Sequence, residues 1–497
     1  MVRPSALRPI RSRGRWLIPG LLALVSACTV GPDFLRPAAP SQQGYLHEPV
    51  TATVAAQGQA QRFLPGAEVT PGWWRLFQSA SLDAVVRQAI ANNMTLQAAE
   101  ASLRQSQDTL MAGYGVFYPH LDVHAGASRE RSAPIQQGQA TAGSVFNVLT
   151  LSGTISYTLD IFGGERRTVE GLQAQVDHQT WLTQAAYLTL TANVVNTAIA
   201  RAAYAAQLQA TEQLIELQRQ QLQTTQAQVR SGTTAYSAIL SLQSLIASNE
   251  ALLPALKQKI SQAEHLLATL EGVVPAEVKL PDLQLAGLSL PRDLPVSLPS
   301  VLVRQRPDIL SAEAQLHQAS AAIGVATAAM LPSFSLTGTY GSAGSSAGSL
   351  FAGAGRFWSV GPSVDIPLFQ GGSLWFGRKA AIDAYQQAAA NYRQVVLESF
   401  AQVADALKAL EFDAQALQKQ AEAQVAAQEA LRLLQANYRS GLVTYLELLA
   451  ADVQLHQVNI AYLQALAQRH QDTVGLFVAL GGGWWNRVDA ISSRPGP

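Results

Sequence analysis

Four segments of the chain alternate between apolar and small polar residues with the two-residue period of a β-strand. In the clearest one, 149–161, Leu151 and Ile155 fall on one face and Ser152 on the other. The other three segments are 120–128, 333–340 and 358–366. Each is close to the roughly 9–11 residues that a membrane-crossing strand needs, and the two faces suit lipid and a wet lumen. The alternative is a soluble sheet with one buried face, for which the chain offers only helices as a covering layer.

Two stretches are too long for the helices of an ordinary globule. Residues 165–230 and 373–439 contain no proline and one glycine each, and apolar residues recur at intervals of three and four. At about 1.5 Å per residue, each helix would be roughly 100 Å long. Shorter helices are expected at 235–270, 443–480, 81–113 and 297–328. A soluble coiled coil would be the default interpretation of such helices, but these connect directly to membrane-type strands.

The series of two strands, a long helix, a turn and a shorter helix occurs twice along the chain. The turn Arg230-Ser231-Gly232 recurs as Arg439-Ser440-Gly441, and other landmarks recur in the same order. The chain is therefore predicted to consist of two similar halves, each with two strands and a pair of long helices. Four strands are too few to close a barrel, which needs about eight. A dimer would supply eight strands and a trimer twelve, so the pattern predicts assembly.

The N-terminus carries the signs of export. Residues 1–27 contain five arginines and no acidic residue, followed by an apolar run, as in a secretory signal peptide. The segment ends on Ala27 before Cys28, the single cysteine, and this resembles the lipobox of bacterial lipoproteins. Cys28 is then predicted to carry lipid, and Thr29 in place of an aspartate indicates the outer membrane. A plain signal peptide that happens to abut a cysteine is the alternative.

Composition excludes several classes of function. Only 14% of residues are charged, against about 25% in soluble proteins. Without residues 1–27, 29 basic residues face 34 acidic ones, so no nucleic-acid partner is expected. Beyond the signal segment, no run of about 18 consecutive apolar residues predicts a transmembrane helix.

No catalytic constellation, metal motif or phosphate-binding loop is found, so we expect no enzyme activity, no cofactor and no metal. His120, Asp122 and His124 share one strand face, where a solvated wall is favoured over a weak metal site. Acidic residues spread along the helix faces are interpreted as solvated surface.

Several short motifs together resemble one family, the TolC-like outer-membrane efflux proteins, in the lipidated branch typified by OprM and NodT. They are Cys28-Thr-Val-Gly-Pro-Asp33, Trp73-Trp74-Arg75-Leu76-Phe77, Arg306-Pro307-Asp308-Ile309, Asp365-Ile366-Pro367-Leu368-Phe369, Tyr438-Arg439-x-Gly441 and Ala479-Leu480-Gly481-Gly482-Gly483-Trp484. The resemblance covers nearly all of the chain beyond the signal segment.

The resemblance implies an α+β membrane protein that forms a homotrimer. Each chain would give four strands to a 12-stranded transmembrane β-barrel in outer-membrane lipid and long antiparallel helices to a periplasmic α-barrel. The trimer would act as the passive, gated outer-membrane channel of a tripartite efflux system, with a periplasmic adaptor protein and an inner-membrane pump as partners. The expected domains are a signal peptide at 1–27, a lipidated extended segment at 28–75, two repeats at 76–285 and 286–483, and a disordered tail at 484–497.

The resemblance also implies roles for the two turns. Arg230, Ser231 and Gly232 in the first, and Arg439, Ser440 and Gly441 in the second, are expected to contact the adaptor. The gate is expected at Tyr445, Leu446 and Glu447, where Ala450 replaces an acid that the family often has. Simple packing between helices is the alternative for Tyr445 and Leu446.

An acidic gate has a direct physical consequence. Three Glu447 side chains close to a threefold axis would repel one another, so closure needs a divalent ion, a hydrogen-bond partner or proton uptake. The first half has Tyr236, Ser237 and Ala238 at the matching positions, without an acid, so the second hairpin is expected to dominate the gate.

Two other functions compete with this one. A trimeric surface adhesin also pools four strands per chain, but its strands would be consecutive near the C-terminus. A soluble periplasmic scaffold or enzyme would leave the membrane on washing.

Overall fold

The computed structural model describes residues 29–56, 59–132 and 143–486. Its strands are β1 (Arg62–Pro65), β2 (His120–Arg131), β3 (Val145–Leu159), β4 (Asp293–Val296), β5 (Ser333–Gly344) and β6 (Arg356–Asp365). Its main helices are α1 (Ala80–Asn92), α2 (Met94–Gly113), α3 (Gly164–Arg230), α4 (Tyr236–Glu250), α5 (Leu252–Leu270), α6 (Pro307–Ala328), α7 (Ser373–Arg439) and α8 (Tyr445–Ala479). Short helical turns lie at Trp73–Phe77, Tyr114–Phe117, Leu285–Gly287, Pro299–Leu302, Ala347–Leu350 and Trp484–Asn486.

The four predicted strands form one antiparallel sheet in the order β2-β3-β5-β6. The register aligns Leu121, Ile155 and Val360 in one row of the apolar face. On the polar face, the hydroxyls of Thr154 and Thr339 are 3.2 Å apart. The alternation read from the sequence is therefore confirmed across the whole sheet. Because β2 and β6 are the outer strands of the order, each has one edge without a partner strand among the described residues.

The chain divides into two compact units. The strand unit holds 29–36, 104–177 and 313–391, and the helical unit holds 37–103, 178–312 and the described residues from 392 onward. The long helices α3 and α7 are each continuous over 67 residues, which confirms the prediction from their lack of proline.

The helical unit has a large aromatic core. Trp73, Phe77 and Phe477 are almost fully buried, and the Trp73 and Phe477 rings stack with centroids 5.4 Å apart. Burial of each such side chain contributes about 1.5–3 kcal/mol to the stability of the folded state. Gly483 (φ 73°) leaves no space for a side chain, because a Cβ would come within 2.5 Å of the Val69 carbonyl oxygen. The Trp-rich and Gly-rich motifs thus build this core.

Arg306 explains another of the motifs. Its guanidinium is nearly buried, pairs with Asp308 at 2.6 Å, and donates to the Ala479 carbonyl at 2.8 Å and to Gln402 at 2.7 Å. Pro307 is the first residue of α6, a position where its missing N–H costs no helical hydrogen bond. Arg306 therefore joins the start of α6 and the end of α8 to the middle of α7, and it serves the framework.

Three predicted helices are interrupted. The helix expected at 297–328 is broken between the turn Pro299–Leu302 and α6, which begins at Pro307. The helix expected at 81–113 ends at Asn92, because Asn93 takes an extended conformation and its side chain accepts a hydrogen bond from Leu96 N–H at 2.9 Å. The helix expected at 235–270 is divided at Ala251, three residues before Pro254, which cannot donate within a helix. The parallel pair β1-β4 was not predicted.

One stretch within the described residues, Tyr236–Leu270, is long and apolar enough to cross a membrane by length and composition alone. It contains no unbroken apolar run of about 18 residues, and Leu242, Ile246 and Leu267 of this stretch are buried against other parts of the helical unit. We therefore interpret it as a packed helical pair.

Candidate functional site

The two predicted turns have the same structure. After α3, Gly232 (φ 75°) is followed by a bond from Thr233 N–H to the Gln228 carbonyl at 3.0 Å. After α7, Gly441 (φ 73°) is followed by a bond from Leu442 N–H to the Asn437 carbonyl at 2.9 Å. This is the glycine-based end of a helix known as the Schellman motif. All six predicted contact residues of the turns are exposed: Arg230, Ser231, Gly232, Arg439, Ser440 and Gly441.

Glu447 is held by the start of its own helix. Thr444 N–H and the Thr444 hydroxyl both donate to Glu447 Oε2, at 2.6 and 2.9 Å, and Glu447 N–H donates to the hydroxyl at 3.4 Å. This capping box lowers the pKa of Glu447 through the Thr444 backbone and side chain. The Glu447 carboxylate therefore has a hydrogen-bond partner within its own helix start, and its lowered pKa disfavours proton uptake.

Leu446 and Tyr445 are placed differently from each other. The Leu446 side chain is 72% exposed. Tyr445 is half-buried and packs with Leu449 against the tip cluster, which we define as Ile215, Leu242 and Ile246. Burial raises the pKa of Tyr445 to about 12. Tyr445 therefore anchors α8 to α3 and α4, while most of the Leu446 side chain stays exposed.

A hydrogen bond joins the second hairpin to the first close to the turns. The Tyr438 hydroxyl donates to Gln228 Oε1 at 3.0 Å, which links α7 to α3. The Tyr438 and Tyr445 rings lie 5.9 Å apart. Sequence reasoning missed this link, because the glutamine has no pattern that distinguishes it from its many neighbours of the same type.

The matching positions of the first hairpin lack a side-chain cap. Tyr236 is 63% exposed, and neither Ser237 nor Ala238 forms a capping box, because α4 begins without a side-chain cap. The difference between the hairpins seen in the sequence is thus present in the structure.

Cys28 lies outside the described residues, but the segment that follows it is firmly held within the strand unit. Arg167 is 4% exposed, and its side chain binds Asp33 at 2.6 Å and the Val30 carbonyl at 3.3 Å. A Cβ on Gly31 would come within 2.4 Å of Gly324. We call this set the Arg167 clamp, and it explains the Val-Gly-Pro-Asp motif.

A buried charged cluster corrects the interpretation of helix acids as solvated. Arg469 is fully buried and donates to Gln61 Oε1 at 3.2 Å and to the Thr53 hydroxyl at 3.3 Å. Burial, and then the neighbouring Asp472, raise the pKa of Asp413 to about 8, and Arg469 opposes this shift. The two carboxyls lie on different helices, so no local pattern marks them.

The strand face with His120, Asp122 and His124 is exposed. Across the described ranges, no group of three or more His, Cys, Asp or Glu side chains is arranged to hold a metal ion.

A family model described as "Outer membrane efflux protein" matches residues 85–273 and 298–482, one match in each half of the repeat. The chain belongs to this family. The pyoverdine export outer membrane protein OpmQ of Pseudomonas aeruginosa is 28% identical to it over 490 residues, which are 95% of this chain and 99% of that protein. The cation efflux system protein CusC of Escherichia coli O6:H1 is 28% identical over 479 residues, 94% and 98% of the two chains.

Among solved structures, the outer-membrane channel OprN has a TM-score of 0.82 and 26% identity, and the match covers 92% of this chain and 100% of that chain. The resemblance stated from the motifs is therefore confirmed, with its TolC-like fold, its two repeats and its outer-membrane location. The chain is the outer-membrane channel component of an efflux system and is not an enzyme. The adhesin and the soluble scaffold are excluded.

Proposed function

We propose that three copies of the chain form a closed barrel of twelve strands, through which the trimer conducts exported molecules passively. The observation that carries this proposal is the four-stranded sheet, which has one apolar face and two outer strands, β2 and β6. Unpaired backbone groups are costly in lipid. Pairing β6 of one copy with β2 of the next satisfies both edges, and three copies leave a wider lumen than two.

The same assembly gives the helices their role. The long helices α3 and α7, with α4, α5 and α8, line a periplasmic tunnel, and their exposed turns receive the adaptor, while an inner-membrane pump supplies the energy. The exposure of both turns supports this role. OpmQ and CusC are named for different exports, so the choice of cargo is assigned to the pump.

Within the tunnel, the gate is proposed at Leu446 and Glu447, with Tyr445 anchoring the helix that carries them. The exposure of Leu446 and the capping box of Glu447 support this division. Cys28 is the proposed lipid attachment site, and the Arg167 clamp holds the chain directly behind it. The domain limits 28–75, 76–285 and 286–483 belong to the same proposal. The tail expected at 484–497 begins with a helical turn, Trp484–Asn486, in which Trp484 donates to the Gln305 carbonyl at 2.7 Å. The signal peptide 1–27 and residues 487–497 lie outside the described residues.

The test is a set of single-channel recordings. The protein is purified from outer membranes, its native mass is measured, and currents are recorded in planar bilayers. We expect small, discrete conductances in the wild type and larger ones in Leu446→Gly and Glu447→Ala, because both changes remove side chains from the opening. Glu447→Gln should lower cation selectivity without changing the pH dependence near neutrality, since the Glu447 pKa is lowered.

The matched control is Ser237→Gly, at the corresponding helix position of the first hairpin, which should leave the conductance unchanged. Assembled trimers whose conductance is the same in all variants would move the gate away from the second hairpin. A native mass other than that of three copies would overturn the assembly itself.

A further inference from the structure

The chain leaves the four-stranded sheet for a long helix twice, and both exits lie at the same level of the sheet. Residues 160–163 lead from β3 into α3, and residues 366–372 lead from β6 into α7. We call them the first and the second exit turn. The register pairs Leu159 with Phe334 and Phe334 with Val364, so β3 and β6 reach this level in one row. Both turns belong to the strand unit.

The first exit turn is covered by the segment that follows Cys28. Val30 N–H donates to the Phe162 carbonyl at 2.9 Å. A Cβ on Gly163 would come within 2.6 Å of the Thr29 side chain. The residue directly after the proposed lipid attachment site therefore lies against this turn, and the attached lipid enters its membrane leaflet close to the same level of the sheet.

The second exit turn has no such cover among the described residues. Leu368 is 90% exposed and Phe369 is 88% exposed. Trp375 and Phe376, in the first turn of α7, are exposed as well. Large apolar side chains grouped in this way mark a surface that meets a partner or a membrane rather than water. We call these four residues the apolar exit patch.

The apolar exit patch continues the apolar face of the sheet. Val360, Val364 and Ile366 are exposed, and the two-residue period of β6 places them on one face. Leu368 follows at the same spacing. This is the face that the proposed barrel turns towards lipid, so the patch extends a lipid-facing surface to the level at which the lipid of Cys28 is held.

A cation lies at the helical end of the patch. The Lys379 ammonium is 5.7 Å from the centre of the Trp375 ring and 6.0 Å from that of Phe376. Tryptophan is enriched where acyl chains meet headgroups, and a lysine there buries its stem and extends its charge to the surface. The Lys379 charge complements the phosphate of a phospholipid headgroup.

We propose that the second exit turn is a second membrane anchor, in which Leu368 and Phe369 insert into the phospholipid leaflet that holds the lipid of Cys28, and Lys379 binds a headgroup phosphate. The inference rests on the proposed barrel and lipid attachment site, and it assigns a surface that neither of them uses. The two halves of the repeat then reach the same leaflet differently, by a covalent lipid beside the first exit turn and by apolar side chains at the second.

The first experiment measures what surrounds position 368. Because Cys28 is the single cysteine and carries lipid in the proposal, a nitroxide label can be attached to the thiol introduced by Leu368→Cys alone. The wild type, treated identically, shows whether Cys28 takes label. The assembled protein is placed in vesicles of phosphatidylethanolamine and phosphatidylglycerol. Electron paramagnetic resonance then measures collisions of the label with oxygen, which concentrates in lipid, and with a water-soluble nickel chelate.

We expect a mobile label at position 368 that meets oxygen and is shielded from nickel. The matched control is Asp383→Cys, at an exposed position one helical turn beyond Lys379, whose label should meet nickel. Equal access of nickel to both positions, in trimers verified by their native mass, would overturn the anchor and leave the barrel standing.

A neighbouring copy is the other possible cover of the patch. In that case the label at position 368 would be immobile and reached by neither reagent, and the anchor would be wrong. If no trimer forms at all, the proposed barrel fails and the anchor fails with it. Native mass and label access therefore separate the two failures.

The second measurement concerns Lys379. Lys379→Glu, combined with Leu368→Cys, places a negative charge where a phosphate is expected. Since one lysine at a membrane surface changes binding by roughly fivefold, the ratio of nickel to oxygen collisions at position 368 should rise by about that factor. Lys419→Glu, an exposed lysine further along α7, should leave the ratio unchanged. An unchanged ratio in Lys379→Glu would contradict the phosphate contact.

Discussion

The hydrogen bond from Tyr438 to Gln228 offers a direct test of what keeps the second hairpin against the first. The bond is 3.0 Å long and partly buried. Tyr438→Phe removes the hydroxyl and keeps the ring that lies 5.9 Å from Tyr445, so the substitution isolates the bond from the packing.

The expected effect can be worked out from this geometry. A neutral hydrogen bond of this kind contributes about 0.5–1.5 kcal/mol net. If opening breaks this bond in three copies at once, the free energy lost from the closed state is about 1.5–4.5 kcal/mol. Since about 1.4 kcal/mol corresponds to a factor of ten, Tyr438→Phe should raise the ratio of open to closed channels by about tenfold to a thousandfold.

The assay is a double-mutant cycle on the open probability of single channels, with Tyr438→Phe, Gln228→Leu and the double variant. The cycle is needed because Gln228 Oε1 also lies 3.5 Å from the Thr234 hydroxyl, a contact that Gln228→Leu disturbs. Tyr385→Phe, elsewhere on α7, serves as the control. Effects of the two single variants that simply add in the double variant would refute the reasoning.

Two further predictions concern stability. Asp413→Asn should flatten the pH dependence of unfolding in detergent. The folded wild type keeps a proton up to about pH 8 that the unfolded chain releases, so its free energy of unfolding should fall with rising pH by up to about 1.4 kcal/mol per unit. If the free energy of unfolding has the same slope against pH in the wild type and in Asp413→Asn, Asp413 and Asp472 do not share a proton. Arg167→Ala should cost about 2 kcal/mol and expose 29–36 to proteases, whereas Arg36→Ala, which removes a half-exposed guanidinium instead of a buried one, should not. If residues 29–36 resist proteases equally well in Arg167→Ala and Arg36→Ala, the Arg167 clamp does not hold this segment.

The elements with a local period were predictable from the sequence. α3 begins at Gly164 and α7 at Ser373, close to the predicted starts, because proline is absent and apolar residues repeat at helical spacing. The strand faces follow for the same reason. The pair β1-β4 joins four-residue strands from distant parts of the chain, and no local pattern marks such a contact.

The site shows the same limit. The glycine of each turn was predicted from the sequence, because a helix end is a local feature. The capping box of Thr444 and Glu447 is equally local but was not predicted. The pairing of Asp413 with Asp472 was not predicted either, since each aspartate resembles any solvated acid until α7 and α8 are seen together. Contacts with residues that are distant in the sequence determine whether a polar residue is solvated or belongs to a functional site.

The unpaired outer edges of β2 and β6 have a genetic consequence. If every barrel needs three intact copies, a chain with a damaged β2 edge still pairs through its intact β6 edge. The assembly that it joins then cannot close its barrel. With equal expression of damaged and intact chains, only about one trimer in eight would be free of damage under random mixing in a closed, symmetric oligomer. Such alleles should be dominant, whereas alleles that prevent folding altogether should be recessive.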